Sequence, residues 1–277
     1  MISATIQMSK KVIMRNIIQN IRETICKRRG GHLSSSLGCV EILYALYTTA
    51  NINKDNIKDF QNRDMVVISK EHCRVGQVCT LAHLGLIDKK LLDTYLHDNG
   101  TLGHDIYNFV AGPQVSAVDY GTGSLGHGVG VGIGLAMSNP KRLVYVLVGD
   151  GELQEGSLWE GFWFIIQHNI KNITIVADRN YMQIDNYTKN IVDTSSNMEN
   201  IMAAAGFDVL KCDGHDVKEI QKALKAKNKK PKFIIAETIK GKGMEFLLNE
   251  LGFARFHHSV LDQEYITKIL RKMQGEK

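Results

Sequence analysis

An aspartate and an asparagine in this chain each stand at the end of an apolar run that indicates a buried strand. Asp150 lies between two glycines after residues 143–148, and Asn180 stands three residues after the run at 173–177. Because the carboxyl ends of neighbouring parallel strands meet at one edge of a sheet, we expect the two side chains to lie close together. Carboxylate and amide oxygens are ligands that Mg²⁺ accepts when it carries a diphosphate. The pair therefore predicts a magnesium-diphosphate site at this edge.

The glycines on either side of Asp150 favour the same interpretation. Gly149 and Gly151 allow a sharp turn off the strand and a close approach by a large anionic group. Residues 152–167 have helical spacing, and the N-terminus of that helix would direct free N–H groups at the anion. An ordinary Asp-Gly turn is the alternative. Asn180, at the end of the next strand, favours the metal site over it.

Histidines occur in several short polar segments at predicted strand ends or helix starts. A single histidine is more often a surface or core residue than a catalyst, but these segments converge on one edge of the predicted sheet. Imidazoles at that edge could hydrogen-bond a sugar hydroxyl, a diphosphate oxygen or a reacting carbonyl. The segments contain His32 in Gly-Gly-His-Leu, His72 in Ser-Lys-Glu-His, His104 in Leu-Gly-His-Asp, and the pair His257-His258.

These motifs together resemble the cofactor and histidine motifs of the transketolase family of thiamine diphosphate enzymes. The run Gly-Asp-Gly-Glu-Leu-Gln-Glu-Gly at 149–156, Asn180 and the histidine segments follow the family's order from about residue 20 to about residue 260. The resemblance implies thiamine diphosphate as the cofactor, bound with Mg²⁺ or, in its place, Ca²⁺ or Mn²⁺. It also implies that Asp150, Asn180 and the backbone carbonyl of Met182 ligate the metal ion.

The resemblance further implies roles for the residues around the cofactor. His72 and His104 would face the terminal hydroxyls of the donor sugar. His32 and His257 would serve proton transfer, with His258 as the alternative to His257. Glu155 would relay protonation across a subunit boundary. The implied cofactor contacts are Gly123, Ser124, Leu125, Gly149, Asp150, Gly151, Glu152, Asn180, His72 and His257.

Three positions depart from the family pattern. Glu71 stands where glycine is usual before His72, Asp105 where proline is usual after His104, and His127 where many members carry glutamine. The first two positions flank residues that are implied to face the donor sugar. The departures therefore leave the donor and acceptor sugars open.

The resemblance also implies a second chain. Thiamine diphosphate acts by losing the proton of its thiazolium C2 to give a nucleophilic ylid. In the family a glutamate from a pyrimidine domain activates the cofactor, and this sequence stops just after the Lys-Gly-Lys-Gly…His segment that precedes that domain. We therefore expect residues 1–277 to form a single diphosphate domain, with the pyrimidine and C-terminal domains absent. The implied protein is one subunit of a split transketolase in an α₂β₂ assembly, transferring a two-carbon ketol unit from a ketose or ketose phosphate to an aldose.

Three other functions stay open. A related carboligase would use the same cofactor, and the string Gly-Gly-His-Leu-Ser-Ser-Ser-Leu-Gly at 30–38 resembles deoxyxylulose-phosphate synthases. An NAD-binding oxidoreductase is the second, because Gly121-x-Gly123-x-x-Gly126 formally matches a dinucleotide fingerprint, although the residues before it make a poor buried strand. The third is a non-catalytic cofactor-binding module, which would not need the histidine set.

The elements that must position these residues alternate between strands and helices. This alternation predicts an α/β fold, a doubly wound parallel sheet with helices on both faces. We expect residues 99–119 to form an ordered loop. The predicted strands are 65–69, 143–148, 173–177 and 233–238. The predicted helices are 6–29, 37–49, 152–167 and 262–273, and one more runs from the glycine segment towards Met137. Residues 206–227 are predicted to form a further βα unit.

Composition places few further limits on function. The chain has 277 residues, 44% of them hydrophobic, and a formal net charge of +5, which suits one large domain with a full core. The five cysteines are scattered and lack metal-ligand spacing, which favours reduced thiols in the cytoplasm. The sequence shows neither a membrane-spanning apolar run nor a secretory signal. The basic segment 222–232 lacks interleaved aromatics, so we expect no contact with nucleic acid.

Overall fold

The computed structural model describes residues 10–96, 102, 117–120 and 123–274. Most of the predicted loop at 99–119, including His104 and Asp105, lies outside the described residues, as does Gly121. No helix in the described part of the chain is both long and apolar enough to cross a membrane. The helices are α1 (Lys10–Arg28), α2 (Leu33–Gly38), α3 (Val40–Thr49), α4 (Arg74–His83), α5 (His127–Ser138), α6 (Gly156–Gln167), α7 (Met198–Ala205), α8 (Val217–Lys225), α9 (Phe246–His257) and α10 (Gln263–Gln274), and the strands are β1 (Gly30–Gly31), β2 (Met65–Ile68), β3 (Val144–Gly149), β4 (Ile173–Arg179), β5 (Asp208–Asp213), β6 (Lys232–Glu237) and β7 (Ser259–Val260).

A parallel sheet of five strands, in the order β2-β3-β4-β6-β5, forms the centre of the fold. Every residue of β3 and β4 is buried, as expected for apolar strands in a sheet that is covered on both faces. The register pairs Gly149 with Asp178 and Arg179 with Glu237, so the carboxyl ends of β3, β4 and β6 lie side by side. The prediction of a parallel α/β sheet is confirmed.

Helices cover both faces of this sheet, as predicted. The alternation of side chains along each strand sends Val66 and Ile68 into one core and Met65 and Val67 into the other. The first core also receives side chains from α1–α4 and α8–α10, and the second from α5–α7. Two helical layers therefore enclose the sheet.

Two predicted helices are wrong in their boundaries. The single helix expected over 37–49 is two helices, α2 and α3, separated at Cys39, whose φ of −122° and ψ of 17° are not helical. The helix expected over 152–167 begins only at Gly156, after a 3₁₀ turn at Gly151–Gln154. The turn forms because the Glu152 carboxylate accepts a hydrogen bond from the Gly149 N–H at 2.9 Å. The backbone N–H groups beside Asp150 therefore belong to a tight turn, in which the Gly151 N–H donates to the Asp150 carboxylate, rather than to a helix N-terminus.

A short antiparallel pair, β1 with β7, was not among the predicted elements. Gly30 pairs with Val260 and Gly31 with Ser259. Gly31 has a φ of +124°, and a Cβ there would meet the Ile25 side chain at 2.6 Å, so the position requires glycine. This pairing brings the residue after β1, a histidine, next to the two histidines that precede β7.

Candidate active site

A cavity of about 180 Å³ opens at the carboxyl ends of β3 and β4. Segments that follow β2 and β6 also contribute to its wall. The lining residues are His72, Leu125, Gly149, Asp150, Gly151, Glu152, Gln154, Glu155, Asn180, Met182, Gln183, Ile184, Lys240 and His257. The structure therefore brings most of the residues that the sequence singled out to one place, at the edge of the sheet where they were expected.

Asp150 is a buried carboxylate in the cavity wall, with 1% of its surface exposed. It accepts hydrogen bonds from Tyr181 N at 2.5 Å, Gly151 N at 2.9 Å and the Ser195 hydroxyl at 3.3 Å. Burial, followed by the negative charge of Asp178, raises the pKa of Asp150 to about 7. A divalent cation would compensate this buried charge, so the position fits a metal ligand.

Asn180 and Met182 line the same wall of the cavity as Asp150. The Asn180 amide is oriented by its neighbours, because Nδ2 donates to Asp178 Oδ2 at 3.3 Å and Oδ1 accepts from Met182 N at 3.1 Å. Tyr181, between them, adopts the left-handed region with a φ of 62°, which turns the chain back towards the cavity. Among the described residues no three carboxylate, imidazole or thiol side chains form a metal-binding group.

A buried ion pair supports this wall from behind. Lys70, two residues after the end of β2, binds Asp178 near the end of β4, and both side chains are 1% exposed. Burial alone would lower the pKa of Lys70, but the charge of Asp178 raises it. The Thr238 hydroxyl, directly after β6, donates to the other oxygen of Asp178. These contacts connect the carboxyl ends of β2, β4 and β6. Sequence reasoning missed the three residues, although each lies at the end of a strand or within two residues of it.

Four histidines, His32, His72, His257 and His258, form a cluster beside the cavity. The ring of His32 lies 5.1 Å from that of His257 and 4.7 Å from that of His258, and the rings of His72 and His257 are 5.1 Å apart, all measured between centroids. His72 and His257 line the cavity, whereas His32 and His258 lie next to them. The pairing of β1 with β7 produces this arrangement, because it joins the two segments that carry three of the four rings.

Lys240 is a cation that lines the cavity and was not among the predicted site residues. It is 5% exposed, and its Nζ lies 2.9 Å from Nδ1 of His257. Burial, followed by the charge of Lys70, lowers the pKa of Lys240 to about 8. The Lys-Gly-Lys-Gly segment was the available signal for it. A buried ammonium in a cavity is suited to an anionic ligand.

The imidazoles that line the cavity are neutral at physiological pH. Burial, followed by the charge of Lys240, lowers the pKa of His257 to about 2, and burial, followed by the charge of Lys70, lowers the pKa of His72 well below its ordinary value. Because Nδ1 of His257 accepts from the lysine, its proton resides on Nε2, which is left to donate.

The glycine segment is held in place by Glu152. The carboxylate of Glu152 is buried and accepts from Gly126 N at 2.8 Å, from Gly149 N at 2.9 Å and from the Ser69 hydroxyl. Leu125 thereby lines the cavity, and Glu155 lies exposed at its rim. Gly123 and Ser124 precede Leu125 and are exposed. Glu152 therefore shapes the wall through its hydrogen bonds to the backbone.

Two of the three positions that depart from the family pattern, Glu71 and His127, do not line the cavity. Glu71 is buried, and its Oε1 lies 4.0 Å from Nε of Arg74, one helical turn further on. It is not one of the lining residues. His127 begins α5 and is exposed on a groove between α5 and α6. His104 and Asp105 lie outside the described residues.

The fold and the site together define an α/β domain of the thiamine diphosphate-binding class, and the comparisons with known proteins agree. The family model described as "Transketolase, thiamine diphosphate binding domain" matches residues 10–276. The chain therefore belongs to the transketolase family.

Relatives of similar length are named as subunits. One from Actinobacillus succinogenes, named as a subunit of an apulose-4-phosphate transketolase, is 37% identical over 256 residues, which cover 89% of this chain and 89% of that protein. The "6-deoxy-6-sulfo-D-fructose transketolase subunit SqwG" of Clostridium sp. (strain MSTE9) is 31% identical over 269 residues, which cover 94% of this chain and 95% of that protein.

Solved transketolases share the fold but are longer. The structure from Campylobacter jejuni superimposes with a TM-score of 0.78 at 28% identity, covering 98% of this chain and 44% of that one. The structure from Leishmania mexicana has a TM-score of 0.81 at 24% identity, covers 98% of this chain and 42% of that one, and shows the fold alone. The chain thus spans less than half the length of these solved relatives.

Proposed function

We propose that this chain is the diphosphate-binding subunit of a split, thiamine diphosphate-dependent transketolase. The observation that carries the proposal is one cavity lined by the Asp150 carboxylate, the Asn180 amide, the Lys240 ammonium and the imidazoles of His72 and His257. Family membership over residues 10–276 and relatives of similar length named as transketolase subunits support it. In this proposal the chain is a single domain, a second chain supplies the pyrimidine domain in an α₂β₂ assembly, and the reaction is transfer of a two-carbon ketol unit from a ketose phosphate to an aldose.

The residues of the cavity fit a divalent cation and a diphosphate. Asp150, Asn180 and the carbonyl of Met182 would hold Mg²⁺, for which such oxygen ligands are suited. Lys240 and the Nε2–H group of His257 would bind diphosphate oxygens by charge-assisted hydrogen bonds. When bound, thiamine diphosphate supplies a thiazolium carbon acidic enough to act as a carbon nucleophile.

The histidines would bind and move protons on the substrate. His72 is neutral and lines the cavity, so it can donate to or accept from a hydroxyl of the donor sugar. We assign His32, whose ring lies 5.1 Å from that of His257 and 6.1 Å from that of His72, to proton transfer at the reacting oxygen together with His257. Glu155, which is exposed at the rim, would contact the partner chain and relay protonation across that boundary.

A groove between α5 and α6 supports the proposal of a partner subunit. Helix α5 contains no Asp, Glu, Lys or Arg, and a helix that is apolar on all sides is usually buried. A cavity of about 540 Å³ nevertheless opens between the two helices, and Phe164 on its wall is 39% exposed. The groove reaches Gly126 and Ser157, which are close in sequence to the cavity residues Leu125 and Glu155. A second chain seated in the groove would therefore extend to the cavity mouth.

The substrate class follows from the relatives rather than from the cavity. Their names refer to apulose-4-phosphate and to 6-deoxy-6-sulfo-D-fructose. We propose that the substrate is a sugar of this kind that carries a phosphate or similar anionic group. We assign most of the contacts to that anionic group to the second chain.

A two-carbon transfer assay tests the proposal. The chain, co-expressed with a candidate partner subunit that carries a pyrimidine domain, is given thiamine diphosphate, Mg²⁺, a ketose phosphate and an aldose acceptor, and the products are identified by mass spectrometry. We expect transfer that requires both chains and the cofactor. A pair that binds cofactor but transfers nothing from a panel of ketose phosphates would contradict the assignment, and release of carbon dioxide from pyruvate would favour the carboligase.

The adjacent histidines provide a matched pair of variants in the same assay. Because His257 lines the cavity and accepts from Lys240, His257→Asn should lower kcat by about 10²-fold. His258→Asn, outside the cavity, should change kcat by less than about fivefold. The reverse order of effects would show that the proton-transfer role belongs to His258.

A further inference from the structure

The segment that carries Lys240 has no regular secondary structure, yet its backbone is fixed at successive positions. Thr238, directly after β6, donates its hydroxyl to Asp178. The Gly241 N–H, one residue beyond Lys240, donates to the carbonyl of Ser34 at 2.8 Å. Between these two anchors, the Ile239 N–H needs an acceptor, because no strand continues there.

The acceptor for Ile239 is the side chain of His215. The Ile239 N–H donates to Nε2 of His215 at 2.9 Å, and Nδ1 of the same ring lies 3.2 Å from Oε2 of Glu41 on α3. The two side chains are only 10% and 8% exposed. An imidazole nitrogen that accepts a hydrogen bond carries no proton, so these partners require the Nδ1–H tautomer, with Nδ1 donating to Glu41.

The turn between β5 and α8 is built to present this ring. The Gly214 N–H donates to the carbonyl of Glu237 at 2.8 Å, and a Cβ on Gly214 would meet Thr238 Cγ2 at 2.5 Å. The turn therefore packs directly against the end of β6. His215, the next residue, has its own N–H bonded to the Asp213 carboxylate at 2.8 Å, which fixes the start of the side chain.

We propose that His215 is a positioning residue of the active site. As the Nδ1–H tautomer, braced by Glu41, it holds the backbone of Ile239 and thereby places the Lys240 ammonium against His257 in the cavity. The diphosphate-binding role of Lys240 rests on the proposed function, whereas its placement by His215 does not.

The tautomer is measured on the wild-type chain and needs no folded variant. Histidine ring nitrogens are observed by NMR in the 277-residue chain with ¹⁵N-labelled histidine, and the signals of His215 are assigned by their loss in His215→Gln. We expect a neutral ring with an unprotonated Nε2 at pH 7.5. A proton on Nε2, in either the other neutral tautomer or the imidazolium form, would overturn the proposal.

Two variants then separate the hydrogen bond from the volume of the ring. His215→Phe keeps an aromatic ring but leaves the Ile239 N–H without its acceptor, whereas His215→Gln retains an acceptor of similar reach. We expect hydrogen exchange of the Ile239 amide to be at least about tenfold faster in the Phe variant and within about threefold of wild type in the Gln variant. The Nδ1 signal of His257, which reports the position of Lys240, should move only in the Phe variant.

The assembled two-chain protein gives the functional result. With Mg²⁺ present, the Kd for thiamine diphosphate should rise about tenfold in His215→Phe and return to near wild type in His215→Gln. His83→Phe, at the end of α4 and outside the lining of both the cavity and the groove, is the control for removing a histidine and should change nothing. Faster exchange with an unchanged Kd would overturn the role of His215 in the site. Wild type that binds no thiamine diphosphate would contradict the proposed function, while the exchange and the His257 signal still decide the placement of Lys240.

Discussion

At the scale of single residues, the site is built from charges that burial ordinarily disfavours. Asp150, Asp178 and Lys70 are each at most 1% exposed, and Lys240 is 5% exposed. Lys70 compensates Asp178, whereas among the described residues Asp150 forms no ion pair with a lysine or arginine and Lys240 none with a carboxylate. An uncompensated buried charge is costly. A metal ion at Asp150 and a diphosphate at Lys240 would compensate both.

Asp150→Asn should stabilise the metal-free chain at neutral and alkaline pH. The pKa of Asp150 is about 7 in the folded chain and lies above its ordinary value of 3.8. At a pH between these two values, the carboxyl group is therefore protonated in the folded state and ionised in the unfolded state. The contribution of Asp150 to stability therefore falls as the pH rises through this window. Asparagine removes the titration but also one acceptor oxygen, so we expect a net gain of about 1–2 kcal/mol, or roughly 3–6 °C in Tm, at pH 8.

Thermal melts of both proteins at pH 5 and pH 8, with EDTA present, test this expectation. The difference between the two Tm values should be small at pH 5 and large at pH 8. A variant that melts below wild type at both pH values would show that the hydrogen bonds of Asp150 to Tyr181 and Gly151 outweigh its buried charge.

Only part of the site could be predicted residue by residue. Asp150 and Asn180 were predictable because they end apolar runs, which fixes the edge of the sheet where they must lie. Lys70 and Lys240 were not, because a lysine in a short polar segment is normally solvated, and only the packing of the segments after β2 and β6 buries them. The choice between His257 and His258 also required the structure, since adjacent residues point in different directions.

At the scale of elements, the strands of the central sheet were predictable, whereas the starts of α2, α3 and α6 were not. Strands β3 and β4 are buried apolar runs whose pattern permits little else. Glu152 lies in the 3₁₀ turn that precedes α6 and accepts hydrogen bonds from Gly126 and Ser69 as well as from Gly149, and no local pattern indicates the two distant partners. Strands β1 and β7 are two residues each, too short to carry a periodicity, yet their pairing positions the histidine cluster.

The glycines of α5 should differ in their tolerance of alanine according to the face on which they lie. A Cβ on Gly132 would meet Val146 Cγ2 on β3 at 2.5 Å, whereas one on Gly130 would meet nothing within 4 Å. In urea unfolding of the isolated chain, Gly132→Ala should cost about 1–3 kcal/mol. Gly130→Ala should gain about 0.5–1 kcal/mol, because alanine favours a helix over glycine.

Equal effects of the two substitutions would contradict the packing described for α5. Gly134→Ala, also without contacts within 4 Å, serves as a second control and should behave as Gly130→Ala does.

At the scale of the whole molecule, the groove between α5 and α6 should be the surface that meets the second chain. Phe164→Glu places a charge on the groove wall, where it would be desolvated on association. We expect the Kd for the partner to rise at least about tenfold, measured by biolayer interferometry. Lys222→Glu, exposed on α8 at the opposite face of the sheet, is the matched control and should leave the affinity unchanged. Association that is insensitive to Phe164→Glu but weakened by Lys222→Glu would place the interface elsewhere.

The central claim is that a metal held by Asp150, Asn180 and Met182 anchors a diphosphate in this cavity. Isothermal titration calorimetry of the co-expressed pair with thiamine diphosphate, with Mg²⁺ or with EDTA, tests it most directly, with Asp150→Asn as the variant. We expect binding to wild type with Mg²⁺, and a loss of at least about 100-fold in affinity both with EDTA and in the variant. Equal affinity with and without the metal, or in wild type and variant, would contradict the claim.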